Sequence, residues 1–312
     1  MKKVLVCGSN GMVGSSVFFA LSNSPLYTPI PTSRSEVNLC DISSLNCFLK
    51  KHNPDIVINC AAKVGGILAN KTYPADFIRD NLFININLIE LCHQHDISRL
   101  INLGSSCIYP RDSLQPLKED YLLTGPLEKT NEAYALAKIT GLEMCRHYRS
   151  QFGRYYHSLM PTNLYGYNDN YNLKNSHVLP ALIRKFHEAK ESNLDSVEIW
   201  GTGKARREFL HADDLSNAIL FLLGIEDLPD IINIGTGSDI FISDLALIIK
   251  EVVEFEGDIH YNSDMPDGTP VKRLDVSLMD DLKWKPKISL RKGIKDTYND
   301  FVYRLQNKTL RS

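Results

Sequence analysis

The chain has 312 residues, 43% of them hydrophobic, and sets 35 Lys and Arg against 37 Asp and Glu. That length can bury a substantial core, expected in two units, and the charge balance excludes the global basic field that draws proteins to nucleic acid, so any anion site must be local. The longest apolar run, Ala218 to Leu223, is far below the about 20 residues a membrane helix needs, and Val4 to Gly8 is too short for a signal peptide core. A cytoplasmic protein with no membrane partner is expected.

Seven cysteines at 7, 40, 47, 60, 92, 107 and 145 make no C-x-x-C pair and no metal spacing. All but Cys107 are read as small reduced hydrophobes, and no metal is expected.

Lys3 to Cys7 is a short apolar strand, followed by Gly8-Ser9-Asn10-Gly11-Met12-Val13-Gly14 and a helical pattern through Leu21. Glycines between a strand and a helix let the backbone approach a pyrophosphate at the helix amino end, the context a dinucleotide-binding motif requires. The second strand is predicted over Leu26 to Thr32. Thr32-Ser33-Arg34 then stands where an acidic residue would read a ribose 2′-hydroxyl; an arginine suits a 2′-phosphate, so NADP(H) is preferred, with Glu36 as the complication.

Asp55 to Ala62 is predicted as a strand ending in small residues, with Lys63-Val64-Gly65-Gly66 after it. A helix from about Asp76 to His95 carries Ile78, Leu82, Ile86 and Ile89 at helical spacing and reads as core and interface. Leu100 to Leu103 is the next strand, and it opens into Gly104-Ser105-Ser106-Cys107-Ile108-Tyr109-Pro110. Ser105 and Cys107 share a side if extended geometry persists through them. Downstream, Tyr134 and Lys138 lie at i and i+4 of a helix, which puts phenol and ammonium on one face.

This alternation of strand and helix predicts an α/β doubly wound parallel sheet of the Rossmann kind. Beyond Met160 the pattern changes. Val197 to Gly203 suggests a hairpin or edge strand, Ile231 to Gly235 another strand, Ser243 to Val253 a helix, and Asp267-Gly268-Thr269-Pro270 a turn. The expected division is a cofactor unit over 1–162, completed by about 205–238, and a smaller α/β substrate-binding unit over 163–204 and 239–312.

The glycine motif, Tyr134-x-x-x-Lys138 and an upstream serine together resemble the extended short-chain dehydrogenase/reductases. Finer strings, Ala62 to Ile67, Gly104 to Pro110, Met160 to Gly166, Asn175 to Val178 and Arg207 to His211, resemble the GDP-L-fucose synthase family along essentially the whole chain. Departures exist. The loop after Leu223 is short, Lys185 and Val271 stand where arginine is frequent, and Tyr167 replaces a proline. The resemblance implies NADPH, a GDP-4-keto-6-deoxy sugar as substrate, and a homodimer.

By that resemblance Ala62, Leu103, Gly104, Ser105, Lys138, Pro161, Asn163, Leu164 and His177 adjoin the cofactor. A ketone at C4 acidifies the hydrogens on C3 and C5, so epimerisation needs a base and an acid. Cys107 and His177 fill those roles in either order. Reduction needs a proton for the C4 oxygen, from Tyr134, whose pKa Lys138 is expected to lower, while Ser105 stabilises the developing charge. Lys185 and Arg207 are candidates for the GDP phosphates, Trp200 for guanine, and Asp267 for a further ligand contact. Two alternatives stay open: the same chemistry on a related GDP-4-keto dideoxyhexose or heptose, and a non-catalytic NADP-binding redox sensor, against which the intact Ser105, Tyr134, Lys138, Cys107 and His177 argue.

Overall fold

The computed structural model describes residues 1–173, 175–265 and 267–311. Strand β1 (Lys2–Cys7) sends Val4 and Val6 to one side and Leu5 and Cys7 to the other, and all four are fully buried. A strand apolar on both faces must be covered on both. The covering elements come from the chain that follows: α1 (Met12–Ser22), β2 (Tyr27–Pro31), α2 (Ile42–His52), β3 (Ile56–Asn59), α3 (Ile67–Thr72), α4 (Pro74–Gln94), β4 (Arg99–Leu103), α5 (Glu132–Phe152) and β5 (Tyr155–Pro161). Next are β6 (Asn163–Tyr165), α6 (Val178–Glu191), β7 (Ser196–Trp200), β8 (Arg206–His211), α7 (Ala212–Leu223) and β9 (Ile231–Ile234). The last are β10 (Asp239–Phe241), α8 (Ile242–Val253), β11 (Asp258–Asn262), β12 (Val271–Lys272), α9 (Ser277–Asp281) and α10 (Leu290–Gln306).

Six strands form a parallel sheet in the order β2-β1-β3-β4-β5-β9. On one face Val17 and Leu21 of α1 pack with Leu215, Ile219 and Leu222 of α7. On the other lie Leu45 and Leu49 of α2, Leu88 of α4 and Cys145 of α5. Each fully buried aliphatic side chain of this kind stabilises by about 1.5–3 kcal/mol. The chain leaves β1 toward β2 and later returns to the other side at β3, so a crevice opens at the carboxyl ends of β1 and β3, where doubly wound sheets bind ligands.

The smaller part is built on β8, which pairs antiparallel with β10 and parallel with β12 and β6. Its core joins Ile183 and Phe186 of α6, Leu245 and Ile249 of α8, and Ile294 and Phe301 of α10. β7 pairs in parallel with β11 alone, making it an edge strand rather than half of a hairpin. No helix among the described residues is long and apolar enough to cross a membrane.

Local chemistry moves several predicted boundaries. The strand expected to reach Ala62 stops at Asn59, whose Oδ1 accepts the Ala61 N–H at 3.1 Å and turns the chain. The helix expected from Asp76 starts at Pro74, where proline suits a first turn, and a separate short α3 precedes it. Cys47 is exposed and Cys40 half-buried, against the expectation of buried hydrophobes. On α2 the buried stripe is Leu45, Phe48 and Leu49, and Cys47 falls off it.

One buried carboxylate joins the two parts. Glu208 of β8 is fully buried and accepts hydrogen bonds from Thr236 N at 2.5 Å, Gly237 N at 2.8 Å and Leu274 N at 2.7 Å. Its carbonyl accepts Thr162 Oγ1 at 3.2 Å and Asn163 Nδ2 at 2.8 Å. Glu208→Ala strands three buried amides, so chemical denaturation should find it destabilised by roughly 3 kcal/mol or more, with Glu208→Gln losing less.

Candidate active site

The glycine-rich segment is a turn that only these residues permit. Gly8 has φ +77°, and a Cβ on Gly14 would collide with the Gly8 carbonyl. Gly11 N donates to Gly8 O at 2.9 Å and Gly11 caps α1. The turn is fastened to the end of β2: Gly8 N donates to Thr32 Oγ1 at 2.9 Å, and Ser9 Oγ donates to Thr32 O at 2.8 Å. The first turn of α1 holds no acidic residue and no side chain caps its amides. The amides at Met12, Val13 and Gly14 thus remain available to a pyrophosphate at the positive end of the helix, and a dinucleotide fits this cradle. Arg34, two residues beyond Thr32, is exposed and in no ion pair among the described residues. The complicating Glu36 is occupied, accepting Ser33 Oγ at 2.7 Å.

Beyond β4 the backbone does not stay extended. Ser105 is extended, but a single 3₁₀ turn covers Ser106–Ile108, and Ser105 Oγ caps it by accepting Cys107 N at 3.3 Å. The alternation expected to put Ser105 and Cys107 on one side therefore does not apply. The turn wraps Cys107 around the serine instead.

Tyr134 and Lys138 share a face of α5, the Lys138 Nζ lying 5.8 Å from the Tyr134 ring centroid. Lys138 is 3% exposed and donates to the Leu103 carbonyl at 2.7 Å. Burial pulls its pKa down to about 8. The Tyr134 phenol, partly open to solvent, has its pKa raised, by burial first and by Cys107 second, with a hydrogen bond from Ser105 opposing. This reverses the lowering expected from Lys138: the ammonium is spent on a carbonyl, and desolvation prevails. A phenol so placed stays protonated near neutrality and is a proton donor.

An amide ladder holds α5 in register with the strand ends. Asn59 Nδ2 donates to Asn102 Oδ1 at 2.9 Å and to Asn85 Oδ1 at 3.3 Å, and Asn85 Nδ2 donates to the Ala137 carbonyl at 3.0 Å. All three asparagines are buried. Ala62 follows β3, Leu103 ends β4, Pro161 ends β5, and Asn163 and Leu164 belong to β6, so these positions line successive strand ends.

Lys272 is the residue sequence reasoning missed. Its Nζ lies 3.5 Å from Cys107 Sγ. It also acts on His177, the N-cap of α6, whose pKa is held below its ordinary value by the surrounding protein first and by the Lys272 charge second, although much of the ring faces solvent. Lys272 thus sits against Cys107, and its charge is felt at His177. A cavity of ≈ 40 Å³ beside Cys107 and Lys272 is lined by Tyr109, Asn131 and Thr269 among others. Only the parallel pairing of Lys272 with Arg207 brings this lysine in, and no local motif announces it.

The expected substrate residues form two small groups. Lys185 Nζ stands 5.4 Å from the Trp200 ring centroid and donates to Glu198 O at 3.0 Å, and Trp200 is half exposed. Arg207 donates to Thr269 O at 2.6 Å, and burial lowers its pKa against the opposing charges of Asp267 and Cys107. Asp267 accepts Thr202 N at 2.6 Å and Thr202 Oγ1 at 2.8 Å, so it pins the turn beyond Trp200.

The buried ammonium is costly. A depression from 10.5 to about 8 corresponds to roughly 3 kcal/mol, by the conversion of one pKa unit to about 1.4 kcal/mol. The folded pKa lies below the unfolded one, so the cost is complete below about pH 8 and is recovered as pH rises toward about 10.4. Lys138→Met should therefore melt no lower than the wild type at pH 7, with its advantage narrowing by pH 10 in a calorimetric series.

The chain matches the family model described as "NAD dependent epimerase/dehydratase family" over residues 4–235. It is 47% identical over 306 residues to the "Putative GDP-L-fucose synthase 2" of Arabidopsis thaliana, covering 98% of this chain and 93% of that one. Among solved structures it resembles a GDP-6-OMe-4-keto-L-xylo-heptose reductase of C. jejuni, with TM-score 0.89, 34% identity and 98% of both chains covered. It also resembles a GDP-L-fucose synthetase of Naegleria fowleri bound to NADP, with TM-score 0.91, 26% identity, and 100% and 95% covered. With a six-stranded parallel sheet, a glycine turn on α1 and the Tyr134–Lys138 pair beneath one crevice, the chain belongs to the NAD-dependent epimerase/dehydratase family.

Proposed function

We infer that the protein converts GDP-4-keto-6-deoxy-D-mannose to GDP-L-fucose by epimerisation at C3 and C5 and reduction at C4. The observation that carries this is a thiol beside an ammonium, Cys107 with Lys272 at 3.5 Å, next to the Ser105, Tyr134 and Lys138 of a keto reductase. Reduction alone has no use for a second proton-handling group. The 47% identity to a GDP-L-fucose synthase over nearly the whole chain supports the choice of sugar. A GDP-4-keto heptose or dideoxyhexose is the second reading, favoured by the 34% identity to a heptose reductase.

NADP(H) is the cofactor in this reading, held by Gly8 to Gly14 through backbone amides and by Arg34 at its 2′-phosphate; when bound it supplies the hydride for C4. The protein's own groups do the rest. Cys107 and His177 exchange protons at C3 and C5, and Lys272 stabilises Cys107 when it is a thiolate and disfavours a charged imidazole at His177. Tyr134 Oη delivers the proton to the C4 oxygen, and Ser105 donates a hydrogen bond to the same oxygen. Lys138 holds the cofactor ribose and the phenol's surroundings. Lys185 and Arg207 take the GDP phosphates and Trp200 the guanine, on a loop set by Asp267.

Residues 1–162 with about 205–238 serve as the cofactor unit and the remainder as the substrate unit. The half-exposed Phe83 and Ile86 of α4 and Leu136 of α5 are a suitable face for a homodimer. The reading places the protein in the cytoplasm.

Incubation with GDP-4-keto-6-deoxymannose and NADPH in deuterated water should yield GDP-L-fucose labelled at C3 and C5. Cys107→Ser should slow that labelling by about 10²-fold or more while NADPH still binds. Labelling at the wild-type rate would remove Cys107 from the mechanism, and no NADPH oxidation with this sugar but turnover of a GDP-4-keto heptose would favour the second reading. Arg34→Ala should weaken NADPH by about tenfold or more relative to NADH in a binding titration.

A further inference from the structure

The Gly65-Gly66 pair that follows β3 touches the smaller part of the molecule. Gly66 N donates to the Asn175 carbonyl at 2.9 Å, two residues before His177. A Cβ on Gly66 would lie 2.8 Å from the Ser176 carbonyl oxygen, too close for any side chain to fit without moving backbone. Its φ of -66° suits any residue, so room and not conformation demands glycine here.

Both sides of this clasp are stiff. On the β3 side Lys63 N donates to Asn81 Oδ1 at 2.9 Å, and Asn81 Nδ2 donates back to the Lys63 carbonyl at 3.0 Å. Asn70 Nδ2 then holds the carbonyls of Gly65 at 2.7 Å and Gly66 at 3.1 Å. Asn70 and Asn81 are both buried. On the other side Asn175 N and Ser176 N donate to the Asn172 carbonyl at 3.1 and 2.8 Å, and Leu179 and Ile183 anchor the start of α6 in the core of the smaller part.

His177 follows the clasp as the N-cap of α6, yet its ring caps none of the helix amides, and among the described residues no hydrogen bond fixes it. The imidazole therefore stands where the backbone of 175–177 puts it. Cys107 follows β4, which pairs with β3, so the clasp ties the histidine to the strand beside the one that carries the thiol.

We propose that Gly66 is a positioning residue for proton exchange, setting through Asn175 where His177 stands relative to Cys107, with no part in the hydride step. This rests on the reading of Cys107 and His177 as the groups that exchange protons at C3 and C5. Lys138 is bonded to the Leu103 carbonyl and Tyr134 to Ser105, none of which the clasp touches. Proton transfer is sensitive to placement, and a shift of about 1 Å can cost about 10²-fold in rate.

The two steps can be read apart on the full chain. Deuterium uptake at C3 and C5 of GDP-4-keto-6-deoxymannose is followed with NADP+ in place of NADPH, so that no reduction competes. The hydride step is followed as the initial rate of NADP+ reduction by GDP-L-fucose. Gly66→Ala should slow the uptake by about tenfold or more and leave the reduction of NADP+ unchanged. On a His177→Ala background it should cost nothing further. Asn70→Ala, which frees the same carbonyls without adding an atom, should show the same split to a lesser degree, and it decides the matter if Gly66→Ala does not fold. Equal loss of both rates would mean that Gly66 only supports the fold, unchanged uptake that the clasp sets nothing, and further slowing without His177 that it acts on another group; each overturns the assignment. If the wild type takes up no deuterium, the epimerase reading fails first and takes this assignment with it.

Discussion

A carboxylate buried between two sheets is the constraint on which the site depends. Taking an ionised Glu into a protein interior costs several kcal/mol unless its oxygens are satisfied. Three backbone amides satisfy Glu208, two from the turn after β9 and one from Leu274 just beyond β12. The same residue holds Thr162 and Asn163 through its carbonyl. Fixing Leu274 also fixes Lys272 two residues earlier, in register with Arg207, and so sets an ammonium against the Cys107 thiol. A contact between groups 165 positions apart in sequence thus depends on that one buried carboxyl group.

Around Tyr134 and Lys138 burial itself sets the proton affinities. Lys138 is kept dry against the Leu103 carbonyl, and Tyr134 is kept protonated. Keeping the Lys138 ammonium dry opposes its preference in water, whereas burial reinforces the protonated form that the Tyr134 phenol already prefers there. The asparagine ladder is the compensating structure: it locks α5 to β3 and β4 by side-chain amides at the very depth where the two titratable groups emerge.

Much of this was legible in the sequence, for reasons that can be named. β1, β4 and β9 are apolar runs bounded by turn residues, and a sheet buried on both faces requires such runs. The glycine turn and the Tyr134–Lys138 spacing are local, so their geometry follows from a strand end and a helical period. Pro74 marks the start of α4, ahead of the apolar spacing that suggests a start at Asp76. What was not legible is set by distant pairing. The parallel register of β12 on β8 delivers Lys272, and Asp267 meets Thr202 across 65 positions. The rise in the Tyr134 pKa depends on how deeply the crevice is enclosed, which no spacing encodes.

The order of the strands carries a last consequence. After β5 the chain leaves the six-stranded sheet for β6, comes back with α7 and β9, departs again for β10, and returns α9 to pack near β9 before ending in α10. Cutting the polypeptide at any single point in this region would leave each fragment without a layer of its own interior. Neither part therefore corresponds to one contiguous stretch of sequence, and the chain path itself ties the two together at several crossings.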